Sequence, residues 1–391
     1  MDTNNSINKL TLKNSLCSTD TNNSINKLTL IMQNYNTPEN KLMVALDSVF
    51  DQTYKNFNFV FIDDWSTDYD ASLFFEKWNK TWENKKFQGK IYTVIKPQDG
   101  PFDELNHNHG HSFCRNWGLN LLNTEYVMFM DSDDALTPVA IETLINGFSV
   151  ESDIDISIGN FTRDVYVWFP TCDFVRHIEK DYKHQYRTYN SLDALDILCD
   201  PYMLPEHRPT KPSVAFCATW NKIFRRSLFD EISFPNGRTK DDNFTAHRLL
   251  WKARKICYTP EITYYYRPGG KLADANLYKT IDILDAHKDR NLFFENVFDI
   301  NISNGMKHQK IDLKNYDEIS KKLKIYCNEL FVLLHTYMRV IEQSSDKEKQ
   351  LDLLKEMKIL LDFHKIHLMA YDFKFIKQVV TFIDIWTERL K

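Results

Sequence analysis

Short apolar runs alternate with stretches of helical spacing from Lys27 to about residue 270. One such stretch follows Thr37 and Pro38, where apolar residues recur as in a helix that joins two parallel strands. Strands that alternate with helices predict an α/β fold with a doubly wound, mostly parallel sheet. The runs predict strands at Leu28–Gln33, Phe57–Ile62, Lys90–Ile95, Tyr126–Met130 and Ile154–Ile158.

The pattern changes near Pro268–Gly270. Beyond Lys271 apolar residues keep helical spacing over long segments, so we predict an α-helical C-terminal region. The predicted division is a polar leader at residues 1–26, an α/β domain at 27–270 and a helical domain at 271–391. The helices are predicted at Tyr278–Phe298, Tyr316–Glu342, Asp346–His364 and Phe373–Leu390.

The leader contains a duplication, because Asp2–Leu12 and Asp20–Leu30 have the same sequence, DTNNSINKLTL. Two copies are too few for a repeat protein, which needs about three to bury a continuous core. Only the second copy continues into an apolar run. We therefore expect a flexible leader and a fold that begins within the second copy.

Composition favours folded regions with sizeable cores and argues against a nucleic-acid partner. The 391 residues are 43% hydrophobic and 26% charged. The formal net charge of −5 provides no overall attraction to nucleic acid. The seven cysteines are scattered without a CxxC spacing, which is typical of neither a disulfide framework nor a zinc site and indicates a reducing compartment.

The sequence carries neither a secretory signal pattern nor a run approaching the ~20 apolar residues of a membrane span. We therefore predict a cytoplasmic protein. The helix predicted at Phe373–Leu390 has an apolar stripe with basic residues beside it, which allows peripheral contact with the inner face of a membrane. Packing within the helical domain, or a homo-oligomer, is the commoner use of such a stripe.

Polar clusters directly follow three of the predicted strands. Ligands of doubly wound sheets lie at the carboxyl ends of the strands, so we expect these clusters to form a site. Neighbouring carboxylates repel one another unless a cation such as Mg²⁺ or Mn²⁺ neutralises them. Helix capping is the ordinary alternative, but it does not account for three acids within residues 131–134. The clusters are Asn34, Tyr35 and Asn36; Asp63 and Asp64; and Asp131, Ser132, Asp133 and Asp134.

Five segments in order along the chain resemble the signatures of inverting family 2 glycosyltransferases with the GT-A fold, of the type that builds bacterial cell-surface glycans. The resemblance spans roughly residues 27–270, and the order and spacing of the segments make it specific. The segments are Leu30–Asn36, Ala45–Val49 with Gln52–Tyr54, Ile62–Asp68, Arg115–Leu119 and Glu125–Asp134.

The resemblance continues through Trp220–Arg226, Asp241–Phe244 and Tyr264–Arg267. In the family an acidic pair ahead of a helix supplies the catalytic base. The usual Glu-Asp pair is Asp-Asp in this chain, which keeps the acid aligned with the base, Asp242.

For the donor, the resemblance implies that Asp63 or Asp64 hydrogen-bonds the nucleotide base and that Asn34–Asn36 line its pocket. Arg115 would lie beside the base or the phosphates. Trp220 would stack on a sugar, although packing in the core is the usual place of a tryptophan.

For the chemistry, the resemblance implies that Asp131, Ser132 and Asp133 form a DxD motif. Asp133 would bind the metal directly, and Asp131 would lie nearer the ribose or the waters of the metal. A divalent cation stabilises the nucleoside diphosphate as it leaves, while the base removes the proton of the acceptor hydroxyl on the opposite face of the sugar.

The function implied is metal-dependent, inverting transfer of a sugar from a nucleotide-sugar donor, expected to be UDP-linked, to a hydroxyl of a cell-surface polysaccharide or glycoprotein. A sugar-nucleotide nucleotidyltransferase is one alternative, but that class begins with a glycine-rich loop and residues 30–40 contain no glycine. A catalytically inactive nucleotide-sugar-binding module is the other, and the intact acidic motifs argue against it.

Two further segments invite interpretation. His107, His109 and His111 alternate, but the residues around them indicate a loop and give little support for a transition-metal site. The proline-rich segment Pro201–Pro212 reads as an irregular loop that could set specificity.

Overall fold

The structure is a computed structural model that describes residues 27–82, 87, 89–95, 108–121, 124–163, 185–200, 212–267, 277–298, 316–371 and 373–390. Its strands are β1 (Leu28–Asn34), β2 (Phe57–Asp63), β3 (Ile91–Ile95), β4 (Tyr126–Asp131), β5 (Ala135–Leu136), β6 (Ile154–Thr162), β7 (Arg187–Tyr189), β8 (Lys222–Arg225) and β9 (Lys255–Tyr265). The five strands predicted from the apolar runs are all present as β1, β2, β3, β4 and β6.

The helices are α1 (Glu39–Phe50), α2 (Ala71–Trp82), α3 (His111–Leu121), α4 (Ala140–Asn146), α5 (Ser191–Leu198), α6 (Pro212–Cys217), α7 (Asp241–Lys252), α8 (Leu277–Val297), α9 (Tyr316–Gln343), α10 (Lys347–Tyr371) and α11 (Phe373–Leu390). The four long C-terminal helices correspond closely to those predicted. Among the described residues, no helix is both long enough and apolar enough to cross a membrane.

The chain forms two compact units. The sheet unit comprises residues 1–188, 218–237 and 253–270, and the helical unit comprises residues 189–217, 238–252 and 271–391. The helical unit thus includes α5, α6 and α7 besides the C-terminal helices. The division into 1–26, 27–270 and 271–391 stays a prediction, and the leader lies outside the described residues.

The sheet has the order β3-β2-β1-β4-β8-β6-β9-β5, with β7 beside β9. The β1, β2, β3 and β4 pairings are parallel, β6 and β9 are parallel, and β8 runs antiparallel to β4 and β6. The predicted mostly parallel α/β sheet is therefore confirmed. Every residue of β1 and β2 is buried, as expected for parallel strands covered on both faces.

The strand β9 was not predicted from the apolar pattern. It contains Pro260, which cannot donate to a sheet ladder and so weakens the strand pattern. Its pairing with β6 accommodates this residue through shifts in register between Ile158 and Phe161.

The apolar stripe of α11 packs inside the helical unit. Ile376, Val379 and Ile383 are buried, and the rings of Phe331 and Phe375 lie 3.9 Å apart. This is the packing that the sequence favoured over contact with a membrane.

Candidate active site

The carboxyl ends of β1, β2 and β4 bring predicted site residues side by side. Asn34 is paired in register with Asp63, and Gln33 with Asp131. The Asn34 amide and the Ser66 hydroxyl each donate to Asp63 Oδ1 at 2.6 Å. Burial raises the pKa of Asp63, and these two hydrogen bonds oppose the rise. Asp63 is therefore fixed in place by the chain around it.

Asn36 joins the segments that follow β1 and β2. Its Oδ1 atom accepts hydrogen bonds from the backbone N–H groups of Thr67 at 2.7 Å and Asp68 at 2.9 Å. Asn36 has a φ of 48° and Trp65 a φ of 64°, in the left-handed region where side chains other than glycine are uncommon. Tyr35, between the strand and Asn36, is 38% exposed and so is accessible to a ligand.

Asp64 binds the segment that precedes α3. It accepts hydrogen bonds from Asn108 Nδ2 at 2.6 Å, His109 N at 2.9 Å and Gly110 N at 2.8 Å. Gly110 has a φ of 91°, which suits glycine. Asp64 is 2% exposed, and the three groups that donate to it belong to the chain itself. Its predicted contact with a nucleotide base stays a prediction.

Asp131, at the end of β4, lies beside a buried arginine. The Arg115 Nη2 atom is 3.2 Å from Asp131 Oδ1, and the Gln33 side chain donates to the same oxygen. Arg115 is 4% exposed, and its guanidinium lies 5.5 Å from the centre of the Phe234 ring. The helix α3 therefore places a fixed positive charge next to the first carboxylate of the DxD motif.

The next two acids differ in their surroundings. Burial and the charge of Asp131 raise the pKa of Asp133. Asp134 is 1% exposed, accepts hydrogen bonds from the Tyr264 hydroxyl at 2.9 Å and Arg267 N at 2.8 Å, and has a pKa raised well above its usual range by burial and by Asp133. Asp134 thus joins β9 to the turn after β4, while Asp133 remains partly exposed.

These oxygens suit a hard divalent cation. A cation would relieve the repulsion between Asp131 and Asp133, and Gln33 Oε1 is buried without a hydrogen-bond partner among the described residues. The Ser132 hydroxyl, between the two acids, lies 2.7 Å from the Thr37 hydroxyl. Within the described part of the chain, no three His, Cys, Asp or Glu side chains form a metal cluster.

Trp220 packs in an aromatic group. It is 7% exposed, and its ring stacks on Tyr264 at 4.7 Å and on Tyr266 at 5.3 Å. This environment favours the core interpretation over stacking on a sugar.

The alternating histidines occupy different positions. His109 contributes its backbone N–H to Asp64, and His111 begins α3 with its Nδ1 atom 3.3 Å from Gln33 Nε2. His107 and Pro201–Lys211 lie outside the described residues.

The predicted base lies in the helical unit, in the first turn of α7. Asp242 is partly buried, and its Oδ1 atom accepts hydrogen bonds from Asn243 N at 2.9 Å and from Asn243 Nδ2 at 3.0 Å. The neighbouring Asp241 is 5% exposed and accepts from Asp242 N. Of the acidic pair, Asp242 is thus the one with the less buried side chain.

The segment before α7 binds to α8 through one carboxylate. Asp282, which is 2% exposed, accepts hydrogen bonds from Thr239 N at 2.6 Å, Thr239 Oγ1 at 2.9 Å and Lys240 N at 3.0 Å. The guanidinium of Arg238 donates to the same carboxylate at 2.9 Å. The start of the helix that carries Asp242 is therefore fixed by α8.

Several residues of these networks were not predicted as site residues. Gln33 had a detectable signal, since it is a polar residue near the end of an otherwise apolar strand. Asn243 lies within the motif Asp241–Phe244 but was not singled out, and Asp282 had no signal, because its importance depends on contacts between α8 and the segment before α7.

Residues 29–233, just over half of the chain, match the family described as "Glycosyl transferase family 2". The chain is 27% identical to glycosyltransferase GlyA of Streptococcus pneumoniae serotype 4 over 313 residues, which are 75% of this chain but 40% of GlyA.

Two further matches concern Staphylococcus aureus proteins. The poly(ribitol-phosphate) beta-N-acetylglucosaminyltransferase TarP is 35% identical over 136 residues, which are 34% of this chain and 35% of TarP. The crystal structure of S. aureus TarS 1–349 in complex with UDP-GlcNAc has a TM-score of 0.47 at 18% identity, covering 88% of this chain and 91% of that one. The chain thus spans less than half the length of GlyA and of TarP.

Proposed function

The chain belongs to glycosyl transferase family 2, and we propose that it transfers a sugar from a UDP-linked donor to a hydroxyl of a cell-surface glycan or glycoprotein, with inversion at the anomeric carbon. The observation that carries the proposal is the pair Asp131 and Asp133 at the end of β4, beside Arg115 and the ends of β1 and β2. These groups lie in the region that matches the family.

On the donor side, the chain offers negative and positive groups next to one another. Asp131 and Asp133 would hold a Mg²⁺ or Mn²⁺ ion, which neutralises the diphosphate as it leaves. Arg115 adds a fixed positive charge on the same side. Asn34, Asn36 and Asp63 keep the segments after β1 and β2 rigid, so that the exposed Tyr35 and its neighbours can line the nucleotide pocket.

On the acceptor side, Asp242 serves as the general base. A carboxylate that accepts the proton of the attacking hydroxyl lets oxygen displace the diphosphate from the opposite face of the sugar, which inverts the configuration. The Asp242 carboxylate has the lower burial of the acidic pair, as a group that must reach an acceptor requires.

The names of the relatives support the classes of donor and acceptor. TarP is named as a poly(ribitol-phosphate) beta-N-acetylglucosaminyltransferase. A polyol-phosphate or other cell-surface polymer is therefore the first acceptor to test. A cytoplasmic location, contact with the inner face of a membrane and a homo-oligomer stay predictions.

A donor panel tests the proposal. UDP-GlcNAc, UDP-glucose, UDP-galactose and GDP-mannose are each incubated with poly(ribitol phosphate), poly(glycerol phosphate) or a glycoprotein, with Mg²⁺, Mn²⁺ or a chelator. We expect metal-dependent release of UDP and a product whose anomeric configuration, measured by NMR, is opposite to that of the donor.

The variant Asp242→Asn separates the two halves of the mechanism. It should leave UDP binding in the presence of Mn²⁺ unchanged by calorimetry and lower transfer at least about 100-fold, the usual contribution of a general base. Equal loss of binding and transfer would place Asp242 in the donor pocket. Retention of configuration, or release of pyrophosphate instead of UDP, would contradict the proposed reaction.

A further inference from the structure

The residue after the proposed base makes two hydrogen bonds to it. Asn243 donates to Asp242 Oδ1 from its backbone N–H at 2.9 Å and from its side-chain Nδ2 at 3.0 Å. Asparagine near the start of a helix commonly caps it by accepting a backbone N–H. The Asn243 amide nitrogen instead donates to a side chain, so capping does not explain this contact.

Asn243 is itself fixed from two directions. Its side-chain Oδ1 atom accepts a hydrogen bond from the Cys217 thiol of α6 at 3.6 Å, which orients the amide so that Nδ2 faces Asp242. Its backbone carbonyl accepts a hydrogen bond from Arg290 Nη2 of α8 at 2.8 Å. Both ends of the amide thus have partners, and the first turn of α7 is tied to α8.

The arginine belongs to a buried charged group. Arg290 is 3% exposed, and its Nη1 atom lies 3.4 Å from Glu329 Oε2 on α9. Glu329 is fully buried and also lies 2.6 Å from His287 Nδ1. Burial alone would raise the pKa of Glu329, but Arg290 and His287 lower it, so the carboxylate balances the charge of the arginine.

Two residues of α8 therefore enclose the turn that bears the base. Asp282 binds the residues before α7, and Arg290, about two helical turns further along α8, binds the carbonyl of Asn243. A turn held on both sides keeps the carboxylate at one position. It therefore loses little conformational entropy when the acceptor binds.

We propose that Asn243 is a positioning residue that orients the Asp242 carboxylate for removal of the acceptor proton, and that Arg290 supports it through the backbone. This inference rests on the proposed function, because it assumes that Asp242 is the base. Nothing in it depends on the identity of the donor sugar.

The test compares three variants of the full chain. Asn243→Asp has the same shape but replaces the donating amide with a carboxylate that repels Asp242. Asn291→Asp is the control, because Asn291 also donates to a carboxylate, Glu295 Oε1 at 3.0 Å, within the same unit, and it is buried whereas Asn243 is partly exposed. Asp242→Asn is the reference for loss of the base.

We expect Asn243→Asp to lower kcat for transfer about 10- to 100-fold while leaving the Kd of UDP with Mn²⁺ within about twofold. The control should change kcat less than threefold, with a comparable change in melting temperature. Transfer is measured with the donor and acceptor pair that gives turnover in the panel above.

A kcat for Asn243→Asp equal to that of the control would overturn the inference. If the aspartate variant does not fold, Asn243→Ala, which adds no charge, is judged by the same criteria. Normal transfer by Asp242→Asn would instead reject the proposed base, an outcome distinct from failure of Asn243 alone.

Discussion

The two units position their helices with the same device, a buried aspartate that accepts hydrogen bonds from a short segment ahead of a helix. In the sheet unit Asp64 binds residues 108–110 ahead of α3, which carries Arg115. In the helical unit Asp282 binds residues 238–240 ahead of α7, which carries Asp242. The geometry is similar, but the two aspartates stand in different relation to the sequence.

Asp64 directly follows β2, inside a contiguous motif, whereas Asp282 lies within a helix. Each aspartate is more than 40 residues from the segment that it binds. Donor-side acids are placed by strand register, which the local sequence determines. The base is placed by polar contacts between helices, and the local sequence does not determine those contacts. The two halves of the proposed reaction should therefore respond differently to substitution.

The largest effect is expected at the DxD motif. Asp133→Asn should lower turnover about 1000-fold or more, because a divalent ion contributes several kcal/mol to stabilising the leaving diphosphate. Asp70→Asn is the control. Asp70 lies just ahead of α2 and accepts a hydrogen bond from Leu73 N, and asparagine caps helices equally well. Metal titrations of UDP release measure both. Full activity in a chelator would remove the metal from the mechanism.

The next effect concerns two buried carboxylates, one in each unit, that form ion pairs with arginine side chains. Glu329→Gln leaves Arg290 without its charge partner and should destabilise the helical unit by about 3 kcal/mol. Asp155→Asn removes the partner of Arg254 and Arg225, which are more exposed, and should cost about 1 kcal/mol. Only Glu329→Gln should also lower kcat per folded molecule. Thermal unfolding and transfer assays test the contrast, and equal loss of kcat in both would refute it.

The pH dependence of that stability follows from the direction of the pKa shifts. Burial would raise the pKa of Asp155, but Arg254 lowers it, and Arg290 and His287 likewise lower that of Glu329. A lowered pKa in the folded state stabilises the protein above the unfolded pKa, near 3.8 for Asp and 4.5 for Glu. Each contribution is lost as pH falls from the unfolded pKa through the lower, folded pKa, so the variants should approach the parent chain in stability as pH falls below 4.5 for Glu329 and below 3.8 for Asp155.

Part of this molecule could be predicted from its sequence. The five predicted strands, the long helices and the family are confirmed, since apolar periodicity and contiguous motifs encode them. The strand β9, interrupted by Pro260, escaped prediction because its pairing with β6 depends on shifts in register. Asn243 lies within the motif Asp241–Phe244 but was not singled out, and Asp282 escaped because no local pattern reports a contact between α8 and the segment before α7.

A smaller effect distinguishes Asp64 from Asp282, the two aspartates that bind the segments ahead of α3 and α7. Asp64→Asn should raise the donor KM about 10-fold, because the start of α3 and Arg115 lose their fixed position. Asp282→Asn should lower kcat about 10-fold with the donor KM unchanged. Steady-state kinetics at saturating acceptor distinguishes them. A rise in donor KM for Asp282→Asn would show that the helical unit contributes to the donor site.

The smallest effect is expected at the duplicated leader. Replacing residues 1–20 with a single Met removes the first repeat copy and should change stability by less than about 0.5 kcal/mol, because it leaves β1 intact. The matched variant, which extends the deletion through Leu30, removes two strand residues that are fully buried, Leu28 and Leu30, and should prevent folding of the sheet unit. Melting curves of both variants measure the contrast. A large drop in melting temperature for the shorter deletion would show that the first copy also packs against the fold.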